Sequence, residues 1–123
     1  MTSRELLNKI NTEKPNSFSD SQLVAFVNEI EVEVAEQMRI ENVPVYSADD
    51  EESMAQTLLA PAPYDRLYVS YVKAMVDYAN EEYGSYANNQ AQHVQDFRDF
   101  TDWVVRENKA HEQSTPTRLR NVY

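Results

Sequence analysis

Leu59-Ala60-Pro61-Ala62-Pro63-Tyr64-Asp65-Arg66-Leu67-Tyr68 opens the stretch that decides the fold, which runs on to Val105. It contains the only glycine, Gly84, the only tryptophan, Trp103, and most of the aromatic rings. Pro61 and Pro63 disfavour helix before them, and Pro63 suits a first helical position because its missing N–H would be unpaired there anyway. From Tyr64 onward Leu67, Tyr68, Tyr71, Val72, Met75, Tyr78 and Ala79 trace a broad apolar stripe at helical spacing, and Asp65 suits the positive end of the helix dipole. Gly84 is the best candidate for a left-handed helix end, with Ser85 capping the next helix. In that helix Ala87, Ala91, Val94, Phe97, Thr101, Val104 and Val105 fall on one face. Two helices of roughly 30 Å each at ~1.5 Å per residue, separated by so short a break, predict an antiparallel helical hairpin.

Upstream, two capping boxes announce helix starts. Thr2-Ser3-Arg4-Glu5 precedes Leu6, Leu7 and Ile10, which predicts a short docking helix. Ser19 and Gln22 form the second box, with Phe18 and Leu23 at the positions of a hydrophobic staple. Leu23, Phe26, Val27, Ile30, Val34 and Met38 then repeat every three to four residues, so a long helix buries that stripe and turns Glu29, Glu33 and Glu36 outward. The local alternation from Glu29 to Val34 resembles a strand but is shorter than the helical period around it.

Residues 41–62 break the pattern with Pro44, a small patch of Val43, Val45 and Tyr46, and the run Asp49-Asp50-Glu51-Glu52. A connection this long in a small domain is usually mobile or functional. Ser53 to Leu59 adds a helical turn anchored by Met54, Leu58 and Leu59. The acidic run lacks the alternating ligands, central glycine and distal glutamate of a calcium-binding loop. Residues 112–123 carry Pro116, Arg118 and Arg120 and no helical period, which predicts a flexible, slightly basic tail. The fold class is therefore all-α: one domain over 1–111, a small helical bundle built on the long antiparallel hairpin, with an extended acidic loop over about 41–62 and the flexible C-terminal tail.

A chain of 123 residues without cysteine supports one modest core and excludes a disulfide scaffold. No apolar run approaches the ~20 residues of a membrane span, and Met1 to Ile10 lacks the apolar centre of a signal peptide. The net charge is -10, from 21 acidic and 11 basic residues. Residues 19–60 hold Asp20, Glu29, Glu31, Glu33, Glu36, Glu41, Asp49, Asp50, Glu51 and Glu52 against Arg39 alone, a surface that repels phosphate backbones.

Chemistry is thinly represented. His93 and His111 sit in no triad arrangement, and neither follows a glutamate at the three-residue spacing of a di-iron bundle, since Gln90 and Asn108 stand there. Asp77 with Glu81, and Asp99 with Asp102, share helix faces but lack those histidine partners. One glycine cannot build a phosphate loop or nucleophile elbow. The expectation is no enzyme, no cofactor and no metal. The tyrosines fit the boundary between core and contact surface, because each combines an apolar ring with a hydroxyl that wants a partner. Tyr64, Tyr68, Tyr83 and Tyr86, with Arg118 and Arg120, are accordingly the candidate subunit or partner contacts.

The run Leu59 to Tyr68, followed by Tyr71, Ala74-Met75, Asp77, Asn80, Glu82-Tyr83, Tyr86 and Asn88-Asn89, resembles the head–tail connector (adaptor, or head-completion) proteins of long-tailed phages and of prophages in Gram-positive bacteria. Leu6, Lys14-Pro15-Asn16 and the helix start at Ser19 to Gln22 are similar as well, so the resemblance spans roughly residues 3–105. It implies a structural virion protein at the head–tail interface, present in the host cytoplasm during assembly. Such proteins form a ring, typically of twelve copies, beneath the portal protein, extend the DNA exit channel and dock the stopper or tail-completion protein. DNA would pass without specific binding, and Glu29, Glu33, Asp49, Asp50, Glu51 and Glu52 are the candidate channel-facing acids. The alternative function is an acidic DNA mimic or inhibitor that occupies a nucleic-acid-binding partner.

Overall fold

The computed structural model describes residues 1–114, with side chains through Lys109. The chain is mostly helical, with no strand among the described residues: α1 Ser3–Glu13, α2 Asp20–Met38, α3 Glu51–Met54, α4 Arg66–Ala79 and α5 Tyr83–Ser114. Both capping boxes are formed. Thr2 Oγ1 accepts the Glu5 N–H while the Glu5 carboxylate accepts the Thr2 N–H, and Ser19 and Gln22 repeat the exchange at the start of α2.

The core is one cluster. Leu6, Leu7 and Ile10 from α1 meet Leu23, Val27, Ile30 and Val34 from α2 and Leu67, Tyr68 and Val72 from α4, all fully buried. Each such aliphatic side chain contributes about 2 kcal/mol by leaving water. Central to this arrangement is α4, which packs on α5, α2 and α1. Its contact with α5 is the most extensive, and paired residues run in opposite order along the two helices: Arg66 with Asp99, Ser70 with Asp96, Asp77 with Asn89.

Several expectations change. α4 ends at Ala79 rather than at Gly84, and the left-handed residue that closes it is Glu81, at φ 59°. The Glu82 N–H reaches the Asp77 carbonyl at 2.9 Å and the Glu81 N–H reaches that of Tyr78 at 3.1 Å, a Schellman closure made without glycine. Gly84 lies inside the first turn of α5 with no positive φ, and Ser85 spends its hydroxyl on Asp77 instead of capping a helix. The helices are unequal: 14 residues make α4 about 21 Å long, and 32 make α5 about 48 Å. α5 runs on through Ser114, so no helix break falls at 111, while 115–123, with Arg118 and Arg120, lie outside the described residues.

The buried face of α5 is also turned from the expected one. His93, Asp96, Phe100 and Val104 are buried and Phe97 and Trp103 half-buried, while Ala87, Ala91, Val94 and Val105 are exposed. Polar residues occupy part of the inner face because α4 offers them partners, which hides that face from an apolar periodicity.

Residues 41–62 are held to the core. Tyr46, Met54, Leu58 and Ala60 are buried, and Asn28 on α2 grips the Tyr46 backbone twice, accepting its N–H and donating to its carbonyl, each at 2.9 Å. Ser53 Oγ accepts the Ser47 N–H at 3.0 Å, and an isolated bridge joins Thr57 to Thr2. Pro63 follows a cis peptide bond, and a turn over 62–65 precedes α4, so Pro63 is not its first residue.

Candidate functional site

Glu31 is the most consequential residue that the acidic pattern concealed. It is fully buried, and both carboxylate oxygens are used. Oε1 accepts the Tyr68 hydroxyl at 2.5 Å; Oε2 accepts the Tyr46 hydroxyl at 2.7 Å and the Leu59 N–H at 3.1 Å. The Tyr68 hydroxyl in turn accepts the Ala60 N–H at 2.9 Å. One side chain of α2 thus joins both ends of the 41–62 segment to α4. Burial, reinforced by the Glu31 carboxylate, pushes both phenols well above the ordinary tyrosine range. The position was legible: Glu31 is four residues after Val27 and four before Ala35, on the buried stripe rather than beside Glu29 and Glu33.

Two further polar clusters sit between α4 and α5. Asp77, fully buried, pairs with Lys14 from the segment after α1 and accepts from Ser85 Oγ and Asn89 Nδ2, both at 2.7 Å. Burial alone raises its carboxyl, but Lys14, Ser85 and Asn89 together outweigh that and hold it below the usual range. Glu81, the residue paired with Asp77 by spacing, is exposed in the turn. Asp96 accepts Ser70 Oγ at 2.9 Å and Gln92 Nε2 at 2.8 Å, and Arg66 bridges it and Asp99.

His93 is buried between the Tyr71 and Phe97 rings, with Nδ1 3.0 Å from the Leu67 carbonyl. A carbonyl only accepts, so Nδ1 carries the proton, and burial pushes the imidazole below its ordinary pKa. These clusters are closed circuits: each charged group faces a partner that consumes it.

A cleft of about 470 Å³ opens between α1, α4 and α5, lined among others by Lys9, Arg66, Val69, Lys73 and Gln92. Its cations are already matched, Lys9 and Lys73 by Glu13 and Arg66 by Asp96 and Asp99. Lys73 at 2.6 Å, aided by Lys9, holds the Glu13 carboxyl down at about 2. Among the described residues no group of three His, Cys, Asp or Glu is placed to hold a metal ion, and no helix is long and apolar enough to cross a membrane.

The residues singled out by sequence separate into three sets. Glu29 and Glu33 are exposed on α2, Glu29 accepting the Tyr71 hydroxyl at 2.9 Å, and Asp49, Asp50, Glu51 and Glu52 are exposed around α3. Asp50 caps α3 and Glu51 pairs with Arg4 at 3.3 Å. Tyr83 is 58% exposed and Tyr86 half-buried, both against the ring of Tyr78, itself 58% exposed. Tyr64 stacks on Trp103 at 5.4 Å and takes a bond from Arg106. Tyr68 is no contact residue at all, since its ring is fully buried and its hydroxyl spent on Glu31. Comparison of the chain with protein-family models, curated proteins and solved structures gave no match.

Proposed function

We propose that this chain is a non-enzymatic structural protein, a phage head–tail connector that assembles as a ring beneath a portal protein and docks a stopper or tail-completion protein. The observation that carries the reading is the outer surface of α5 and its turn: Ala87, Ala91, Val94 and Val105 lie in solvent along the helix, and the exposed rings of Tyr78 and Tyr83 meet at its start. Apolar and aromatic groups aligned outward along one face of a long helix suit contact with another protein. The polar side chains described above are consumed in holding the fold together, which supports a role in contact rather than turnover. In this reading the antiparallel α4–α5 pair is the scaffold of a small bundle, the segment 41–62 pinned to its core presents the acidic turn around α3, and Glu29, Glu33, Asp49, Asp50, Glu51 and Glu52 face the DNA channel, where like charge favours sliding.

Co-expression with a portal protein, followed by affinity capture of the portal, tests the proposal. Stoichiometric recovery of this chain on the portal ring is expected. The exposed acids at 49–52 also fit the alternative of a DNA mimic. A chain that ignores the portal, stays monomeric and blocks a DNA-binding enzyme would establish that alternative.

A further inference from the structure

Val32, 53% exposed, and Val94, 46% exposed, are left in solvent on two different helices, and each is the centre of a strip. On α2 the strip is Ala25, Glu29, Val32 and Glu36, continued by Arg39, on the side opposite Leu23, Val27, Ile30 and Val34. On α5 it is Ala87, Ala91, Val94, Arg98 and Thr101, roughly a third of a turn from the face that packs on α4. Every member except the half-buried Thr101 is exposed. Both strips advance by four, three, four and three residues, the stepping that keeps side chains in line and lets two helices run side by side.

Their contents are complementary as well. With Val32 set against Val94, a parallel alignment puts Ala25 on Ala87 and Glu36 on Arg98. An antiparallel alignment puts Ala25 on Thr101 and Glu29 on Arg98. In either direction the centre is apolar, small residues allow close approach, and the one basic residue of the α5 strip meets a glutamate. Like-with-like pairing loses this. Two α2 strips bring glutamates together, and two α5 strips leave Arg98 against alanine or against itself, which costs rather than stabilises.

We propose that the α5 strip of one copy docks on the α2 strip of a second copy of this chain, with Val94 on Val32 and Arg98 on a glutamate. Glu29 already accepts the Tyr71 hydroxyl, which favours Glu36 and the parallel alignment. The two strips are different surfaces, so each copy keeps one of each to offer and the contact propagates head to tail. This deepens the ring reading and rests on it only for closure of the repeat. A strip about 21 Å long and one helix wide falls short of the ~800 Å² per partner of a stable interface. The contact is therefore weak in dilute solution and populated at high concentration.

The native chain has no cysteine, so introduced thiols report the contact alone. The full-length single variants Val32→Cys and Val94→Cys, each checked by circular dichroism for a wild-type melt, are mixed at about 1 mM under mild oxidation. The expected product is a mixed disulfide between the two variants in clear excess over either like-with-like dimer. The double variant should give a ladder in steps of 14.3 kDa. Adding Arg98→Glu to the Val94→Cys chain should cut the mixed product roughly tenfold, and Glu36→Arg on its partner should restore it. Restoration by Glu29→Arg instead selects the antiparallel alignment and still supports the contact.

Absence of the mixed product, like-with-like dimers in equal yield, or indifference to Arg98→Glu would overturn the proposal. Mixed disulfides in a chain that never binds a portal would leave this contact standing and remove the connector reading. Portal binding with only like-with-like disulfides would do the reverse.

Discussion

Glu31 shows how much a single side chain can decide when it is buried and fully partnered. Three donors converge on its carboxylate, two of them phenols and one the Leu59 N–H. Glu31→Ala leaves all three without an acceptor, at about 1–3 kcal/mol for each buried orphan, so the melting temperature should fall by more than 10 °C in a thermal scan. Glu31→Gln keeps one acceptor oxygen and should cost less. The same burial makes a prediction for alkaline pH. Tyr46, Tyr68 and Tyr71 have folded pKa values above the unfolded value of 10.0, because burial first and the adjacent glutamate second disfavour the phenolate. Below pH ~10 both states hold these protons; above it the unfolded chain releases them and the folded chain does not, so stability falls as pH rises. Tyr46, Tyr68 and Tyr71 should therefore add to the tyrosinate absorbance at 295 nm only as helical circular dichroism is lost. Tyrosinate formation at these three, read by substituting each with Phe, with the helices intact would contradict the buried clamp.

At the level of elements, the turn between α4 and α5 reverses the usual assignment of glycine. Glu81 occupies the left-handed position, and Gly84 sits in helix with nothing within 4 Å of where a Cβ would stand. Gly84→Ala should therefore stabilise by about 0.5–1 kcal/mol, and Glu81→Gly by a similar amount through relief of the left-handed strain. A Gly84→Ala variant that unfolds at lower denaturant concentration would return the cap to Gly84.

The helix starts at Thr2 and Ser19 were legible because capping boxes are local chemistry, and the stripe of α2 was legible because its core face is apolar apart from Glu31. The end of α4 was not, since the backbone closure relies on Asp77 and Tyr78 carbonyls and tolerates glutamate. The inner face of α5 was hidden by His93 and Asp96, whose burial depends on Leu67, Ser70 and Arg66 from the neighbouring helix. The segment 41–62 read as a loop because its anchors, Tyr46 and Ala60, find their partners only in three dimensions.

For the whole molecule, the distribution of charge and of exposed apolar groups matters more than any one site. Arg4, Lys9, Lys14, Arg66 and Lys73 are consumed in ion pairs, while Glu33, Glu36, Asp49 and Glu52 stay in solvent, so the net charge of -10 is expressed largely at the surface. Alongside that acidic surface, α5 extends well beyond the 14 residues of α4, its partner, and residues 105–109 are all exposed, which leaves its far end available to another protein. In the connector reading proposed above, these are the surfaces that a partner would complete. The most direct test is native mass spectrometry of the chain co-expressed with a portal protein. The connector reading predicts a portal ring carrying many copies of this 14.3 kDa chain, with twelve as the expected number from the resemblance. A portal ring that flies without it, with the chain recovered only as free monomer, would contradict the reading.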